Sequence, residues 1–280
     1  MVRINAVWDR TVEVLRGRAS MLGGIAFVLL FLPNLVQNAI TAFFATPSAG
    51  YFAVVGLVAL GLGVLSIWGN LSIVAAASDP ATDRGAAMAI GASRLPTAIG
   101  LSLLMLLAVF VLMLPAFVFL GASGLPFQTF TRATQPVNVD FSGVSGGAVA
   151  GAVLYFLFVL FPVVIWLSAR LCLFAPVVVN ERLGLQTFGR AWRLTRGLTW
   201  RIIGIFILFG LVYAIVSGAA TLVVQIVFRL LLGENGTPLA TFLGGICGGA
   251  AAAAFGVVTG TFTAQLYRMV SGREAAQTFA

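Results

Sequence analysis

Six long apolar stretches dominate the chain: residues 20–44, 51–77, 96–120, 148–179, 200–231 and 239–267. A helix needs about 20 mainly apolar residues to cross the hydrocarbon core of a bilayer, and each stretch supplies them. The joints between them are polar or marked by glycine and proline: Thr46-Pro47-Ser48, Ser78-Asp79-Pro80, Gly121 to Gly147, Glu181 to Thr199, and Gly233 to Pro238. The longest joint is too short for a soluble domain. The pattern predicts an all-α integral membrane protein of six transmembrane helices, with residues 1–280 as one membrane domain. The first apolar run, Met21 to Phe44, exceeds the roughly 7–15 residues of a signal-peptide core and reads as a retained span.

Shorter segments are two-sided at about 100° per residue, the helical period. In 2–16, Ile4, Val7, Trp8, Thr11, Val12, Val14 and Leu15 share one face, and Arg3, Asp9, Arg10, Glu13 and Arg16 the other. In 182–198, Leu185, Phe188, Ala191, Trp192, Leu194, Thr195 and Leu198 oppose Arg182, Arg190, Arg193 and Arg196. Both patterns predict interfacial amphipathic helices, with apolar sides at the acyl boundary and arginines on headgroup phosphates. Arg190, Arg193 and Arg196 are the expected contacts to anionic phospholipid. A plain positive-inside linker is the alternative for 182–198. Residues 81–95, mostly alanine, are a weaker third elbow.

The elbows sit in a candidate repeat. Asn70-Leu71-Ser72-Ile73-Val74-Ala75 aligns with Arg170-Leu171-Cys172-Leu173-Phe174-Ala175, and Gly85, Ala92, Arg94 and Leu95 align with Gly184, Ala191, Arg193 and Leu194. Each copy is an entering span, an inner elbow and a returning span, so the repeat would be parallel, about an axis along the membrane normal.

Charge fixes the orientation. Only 9% of the 280 residues are charged, against roughly 25% in soluble domains. Lysine and histidine are absent, and with the N-terminus inside, fourteen of the 16 arginines fall on inner segments; Arg132 and Arg229 are the outer two. The positive-inside rule then predicts a multi-pass protein of the bacterial inner membrane with both termini cytoplasmic. The net charge of +8 is a topology signal, and nucleic acid is not an expected partner.

Arg170 is the outstanding polar residue. A helix from Ala148 to Ala169 is about 33 Å long, which places Arg170 at the inner interface; if the span runs on to Val179, Arg170 lies two to three turns deep. An arginine at depth needs a partner. Glu181, Asp79 and Asp83 are the candidates, the two aspartates by a bridge between repeats. The alternatives are snorkelling to phosphate and contact with a substrate. Glu181 is the one acid of the arginine-rich elbow, expected to project near Phe188 and Trp192 as a helix-start carboxylate. Asp79 and Asp83 are a metal-type spacing, but Pro80 between them points to capping instead.

Asn34, Gln37 and Asn38 beside Pro33 are expected to bind helices together. Pro115, Pro162 and Pro176 should kink spans three and four. Gly244, Gly248, Ala252, Gly256, Gly260 and Ala264 form a small-residue stripe on span six, which predicts close helix packing within the chain. Cys172 and Cys247 read as isolated thiols. The absence of histidine removes His-based triads and metal sites, and no phosphate loop or serine elbow is present. No cofactor is expected.

Ala169-Arg170-Leu171, Ala175-Pro176-Val177-Val178-Val179-Asn180-Glu181, Gly184, Ala191-Trp192-Arg193-Leu194-Thr195-Arg196-Gly197 and Trp200-Arg201 together resemble a bacterial family pattern, as does the ending Ala264-Gln265-Leu266-Tyr267-Arg268. The family is the membrane domain found with glycerophosphoryl diester phosphodiesterases, including its stand-alone inner-membrane relatives. The resemblance covers about 40 residues specifically and the rest by hydropathy, and the phosphodiesterase domain itself has no counterpart here. It implies a six-helix membrane fold and a link to lipid or envelope metabolism. The expected function is a non-enzymatic accessory or lipid-associated scaffold, with membrane lipids and a further membrane protein as partners. A small-solute or lipid transporter with a site near Arg170 is the alternative, and a membrane enzyme a disfavoured third.

Overall fold

The computed structural model describes residues 4–43, 49–124, 145–233 and 237–278. Helix α1 (Ile4–Ala26) passes through a π segment (Phe27–Phe31) into α2 (Leu32–Phe43). Then come α3 (Ala49–Ser78), α4 (Arg84–Ala122) and α5 (Gly146–Tyr155), which leads through a second π segment (Phe156–Leu160) into α6 (Phe161–Arg170). Short helices α7 (Phe174–Glu181) and α8 (Gln186–Leu194) precede α9 (Thr199–Leu232) and α10 (Thr237–Thr278). There is no strand among the described residues, and six helical stretches are long and apolar enough to cross a membrane. The protein is an all-α polytopic membrane protein. The joints at 44–48, 125–144 and 234–236, with Arg132, lie outside the described residues.

Both π segments have the same local cause. Pro33 and Pro162 follow them by two residues, and proline has no N–H to give the carbonyl four residues back. The helix widens by one residue where that bond is missing. Pro115 lies inside an uninterrupted α4, as does Pro96. Pro176 falls in the first turn of α7, just after a genuine break at 171–173.

Three expectations about the elbows change. The N-terminal amphipathic segment is not a separate helix; it runs into span one through Arg18, whose φ of −130° and ψ of 21° leave the helical region. The Arg18 guanidinium explains the bend. It donates to the carbonyls of Ala76 (2.6 Å), in the last turn of α3, and of Asp79 (3.1 Å) and Pro80 in the turn that follows. Residues 81–95 form no elbow helix. The Asp83 carboxylate caps α4 by accepting from the Ala86 N–H at 2.6 Å, and α4 then runs 39 residues without a break. The repeat therefore fails at its elbows: Asn70 to Ala75 is continuous helix, whereas Arg170 to Leu173 is where span four breaks.

The third change concerns the apolar faces. Val7 and Thr11 of α1, and Ala191, Leu194 and Thr195 at the end of α8, are buried in the protein's own core. Val7, Leu173, Val177, Ala191, Leu194, Ile202, Phe262 and Leu266 form one cluster. The amphipathic segments thus close one end of the bundle with those buried residues.

Span six, α10, is the central post, packed against α9, α1, α2 and α3. Its small residues make this possible, but the stripe meets several partners. A methyl group added at Gly244 would lie 2.9 Å from Gln225 of α9, at Gly256 3.1 Å from Leu30, and at Gly260 2.9 Å from Ile73 of α3. Gly248 faces Thr221 and Ser217 of α9. Asn38 contributes the expected amide bridge, its Nδ2 donating to the Gly245 carbonyl at 3.2 Å.

Candidate functional site at the elbow

The elbow begins where α6 stops. Leu171 has φ −103° and ψ 10°, and residues 171–173 form turns before α7 resumes. The Thr195 hydroxyl donates to the Arg170 carbonyl at 3.1 Å, so the far end of the elbow caps the break. Two left-handed residues then reverse the chain: Arg182, with φ 53°, and Gly184, with φ 57°. Arg182 is the only non-glycine at positive φ among the described residues. Reversal brings α8 back onto α7, with the Phe174 and Phe188 rings 5.6 Å apart.

Arg170 has none of its expected acidic partners. Its guanidinium carbon sits 5.5 Å from the Trp166 ring centre and 5.0 Å from that of Trp192, within cation–π range of both. The two indoles meet edge to face at 5.0 Å and 86°. Nε and Nη1 of Arg170 are buried and have no hydrogen-bond partner. Asp79 and Asp83 lie elsewhere and serve the backbone: Asp79 accepts from the Ala81 N–H at 2.9 Å, and Asp83 caps α4. That arrangement follows the capping alternative rather than the metal-type or cross-repeat one.

Glu181 is also re-assigned. Its carboxylate accepts from Arg190 Nε at 2.8 and 3.1 Å and from the Tyr267 hydroxyl at 2.7 Å. The expectation that it points away from the arginines assumed one helix through 181–198. The left-handed turn at 182–184 breaks that helix and swings Arg190 against the acid. Both side chains are 20% exposed, so the pair is largely shielded. Arg190 is therefore engaged with Glu181 within the protein. Tyr267, from α10, ties the elbow to the central post. Nearby, Gln265 donates to the Ala77 carbonyl at 2.7 Å. Tyr267, Trp166 and Arg18 carry no role in the sequence reading. The signal for Tyr267 and Gln265 is their polarity in the last turns of an otherwise small and apolar span.

What the elbow turns outward is a mixed surface. Leu185 (71% exposed), Trp192 and Trp200 (82% exposed) stand beside exposed Arg193 and Arg196. Three grooves indent the molecule and all are mainly apolar. One of about 360 Å3 lies between α9 and α10, lined by Phe206, Phe209, Tyr213 and Phe255. A second, about 350 Å3, runs along the first π segment beside α10. The third, about 250 Å3, lies between α4, the break in span four and α8, lined by Ser102, Met105, Ser168, Leu171, Phe174 and Phe188.

No family model, curated protein or solved structure matches this chain.

Proposed function

We propose that this protein is a non-enzymatic, lipid-associated scaffold of the bacterial inner membrane, with both termini cytoplasmic and the elbow at the inner headgroup layer. The observation that carries the reading is the outward surface of the elbow: Trp192, Trp200 and Leu185 beside Arg193 and Arg196. Tryptophan favours the membrane–water boundary, where its ring is apolar and its N–H can be wet. Arginines at the same level attract anionic headgroups. The grooves support it from a second side, since apolar, laterally placed hollows suit acyl chains better than hydrated solutes. The resemblance to the membrane domain of glycerophosphoryl diester phosphodiesterases belongs with the same reading.

Replacing Arg193 and Arg196 with glutamine is expected to weaken the preference for anionic over neutral phospholipid at this surface by about 1 kcal/mol per arginine. Quenching of tryptophan fluorescence by brominated phosphatidylglycerol, against brominated phosphatidylcholine, in proteoliposomes measures this. An unchanged preference would reduce these arginines to topology signals. The second reading, a transporter for a lipid or small solute, is favoured by one observation: the buried, unpartnered Nε and Nη1 of Arg170 at a helix break. It requires flux that Arg170→Gln abolishes.

A further inference from the structure

Arg94 carries a buried guanidinium nitrogen that no acid answers. Arg182 lies within electrostatic reach of Arg94. Among the described residues, no carboxylate is in salt-bridge distance of either; the neighbouring acid, Glu181, is held by Arg190 and Tyr267. The Arg94 Nε is buried and has no hydrogen-bond partner. Like charges held together with an unanswered donor are the arrangement an anion completes.

The same face of α4 leads to an apolar hollow. Arg94, Ala98, Leu101, Ser102 and Met105 recur at helical spacing. Ala98 and Leu101 are buried, and Ser102 and Met105 line the groove of about 250 Å3 that Phe174 and Phe188 close from the other side. Ser102 is about 12 Å beyond Arg94 along the axis, and Met105 about 17 Å. The apolar stretch 96–120 begins two residues after Arg94, which puts Arg94 at the edge of the hydrocarbon and the groove inside it. Arg182 adopts its left-handed conformation between α7, which supplies Phe174, and α8, which supplies Phe188.

We propose that Arg94 and Arg182 hold the phosphate of one anionic phospholipid whose acyl chain fills the groove lined by Ser102, Met105, Leu171, Phe174 and Phe188. This rests on the lipid-associated reading and assigns it one specific site, distinct from the surface around Arg193 and Arg196. Charge complementarity chooses the head, and the groove chooses a ligand with a chain.

Native mass spectrometry of the full chain in mixed micelles tests it, with phosphatidylglycerol as the probe and phosphatidylcholine as the neutral comparison. The wild type is expected to retain one phosphatidylglycerol selectively. Arg94→Gln with Arg182→Gln should weaken that retention by about 30-fold, from two basic contacts. The paired lysine variant should recover most of it. Ser102→Phe, which blocks the groove and leaves both arginines, should also lose the lipid, with a thermal melt confirming that each variant is folded. Arg193→Gln with Arg196→Gln should keep it. Millimolar inorganic phosphate should not compete. Retention by the double glutamine variant within about twofold of wild type, or unchanged retention in folded Ser102→Phe, would overturn the site. Displacement by inorganic phosphate would overturn the role of the groove. If the wild type prefers phosphatidylglycerol and the double variant prefers it equally, the site alone is wrong. If the wild type shows no preference over phosphatidylcholine, the broader reading falls with it.

Discussion

Many polar side chains at the elbow end of this bundle hold backbone or one another. Arg18 answers the Ala76 carbonyl in the last turn of α3, Asp83 the open N–H groups of α4, and Thr195 the carbonyl at the break in span four. Glu181 is the one acid that joins three elements, through Arg190 and Tyr267. Charged hydrogen bonds of this kind are worth about 1.5–3 kcal/mol when one partner is removed. Glu181→Gln and Arg190→Gln are each expected to lower the melting temperature in detergent. The double variant should lose clearly less than the sum, because each single change already breaks the shared bond. Additive losses would mean that the pair is not coupled. These residues stood out in the sequence as the acid and the basic cluster of one elbow. Their pairing did not, because it depends on two left-handed residues, Arg182 and Gly184. A glycine announces that conformation and an arginine does not.

The elements were legible to the extent that period and hydropathy determine them. Six spans and an amphipathic segment before span five follow from runs and faces alone. The segment at 81–95 did not form a separate helix because nothing in it stops one: alanine is the best helix former, and Pro96 sits where α4 already tolerates it. Which neighbour a small residue meets was not legible either. The period places Gly244, Gly248, Gly256 and Gly260 on one stripe, but α10 is crossed by α9, the first π segment and α3 in turn. The penalties should differ accordingly. At Gly260 the added methyl would press on Ile73, a β-branched side chain with little rotamer freedom. Gly260→Ala is expected to destabilise by about 1–3 kcal/mol through overpacking. Val258→Leu, on the same helix and away from both buried clusters, should melt close to the parent. If the two melt together, α10 is not close-packed against α3 at Gly260.

At the scale of the molecule, the bundle buries its amphipathic faces on itself and presents lipid with leucine, valine and phenylalanine from spans three to five. That division was half legible. Segregated faces on 2–16 and 182–198 were read as membrane-facing, but a sequence does not say whether an apolar face meets acyl chains or a neighbouring helix, because the two environments are equally apolar. The surface that remains outside, Trp192, Trp200, Leu185, Arg193 and Arg196, is smaller than the sequence implied and more sharply placed. The account turns on that surface and on the apolar groove along α4 beyond Arg94. Quantifying the lipids that co-purify with the wild-type protein, against the lipid composition of the membrane it came from, tests it most directly. Anionic phospholipid is expected to be enriched in the bound fraction, whereas a bound fraction matching the surrounding membrane would contradict the account.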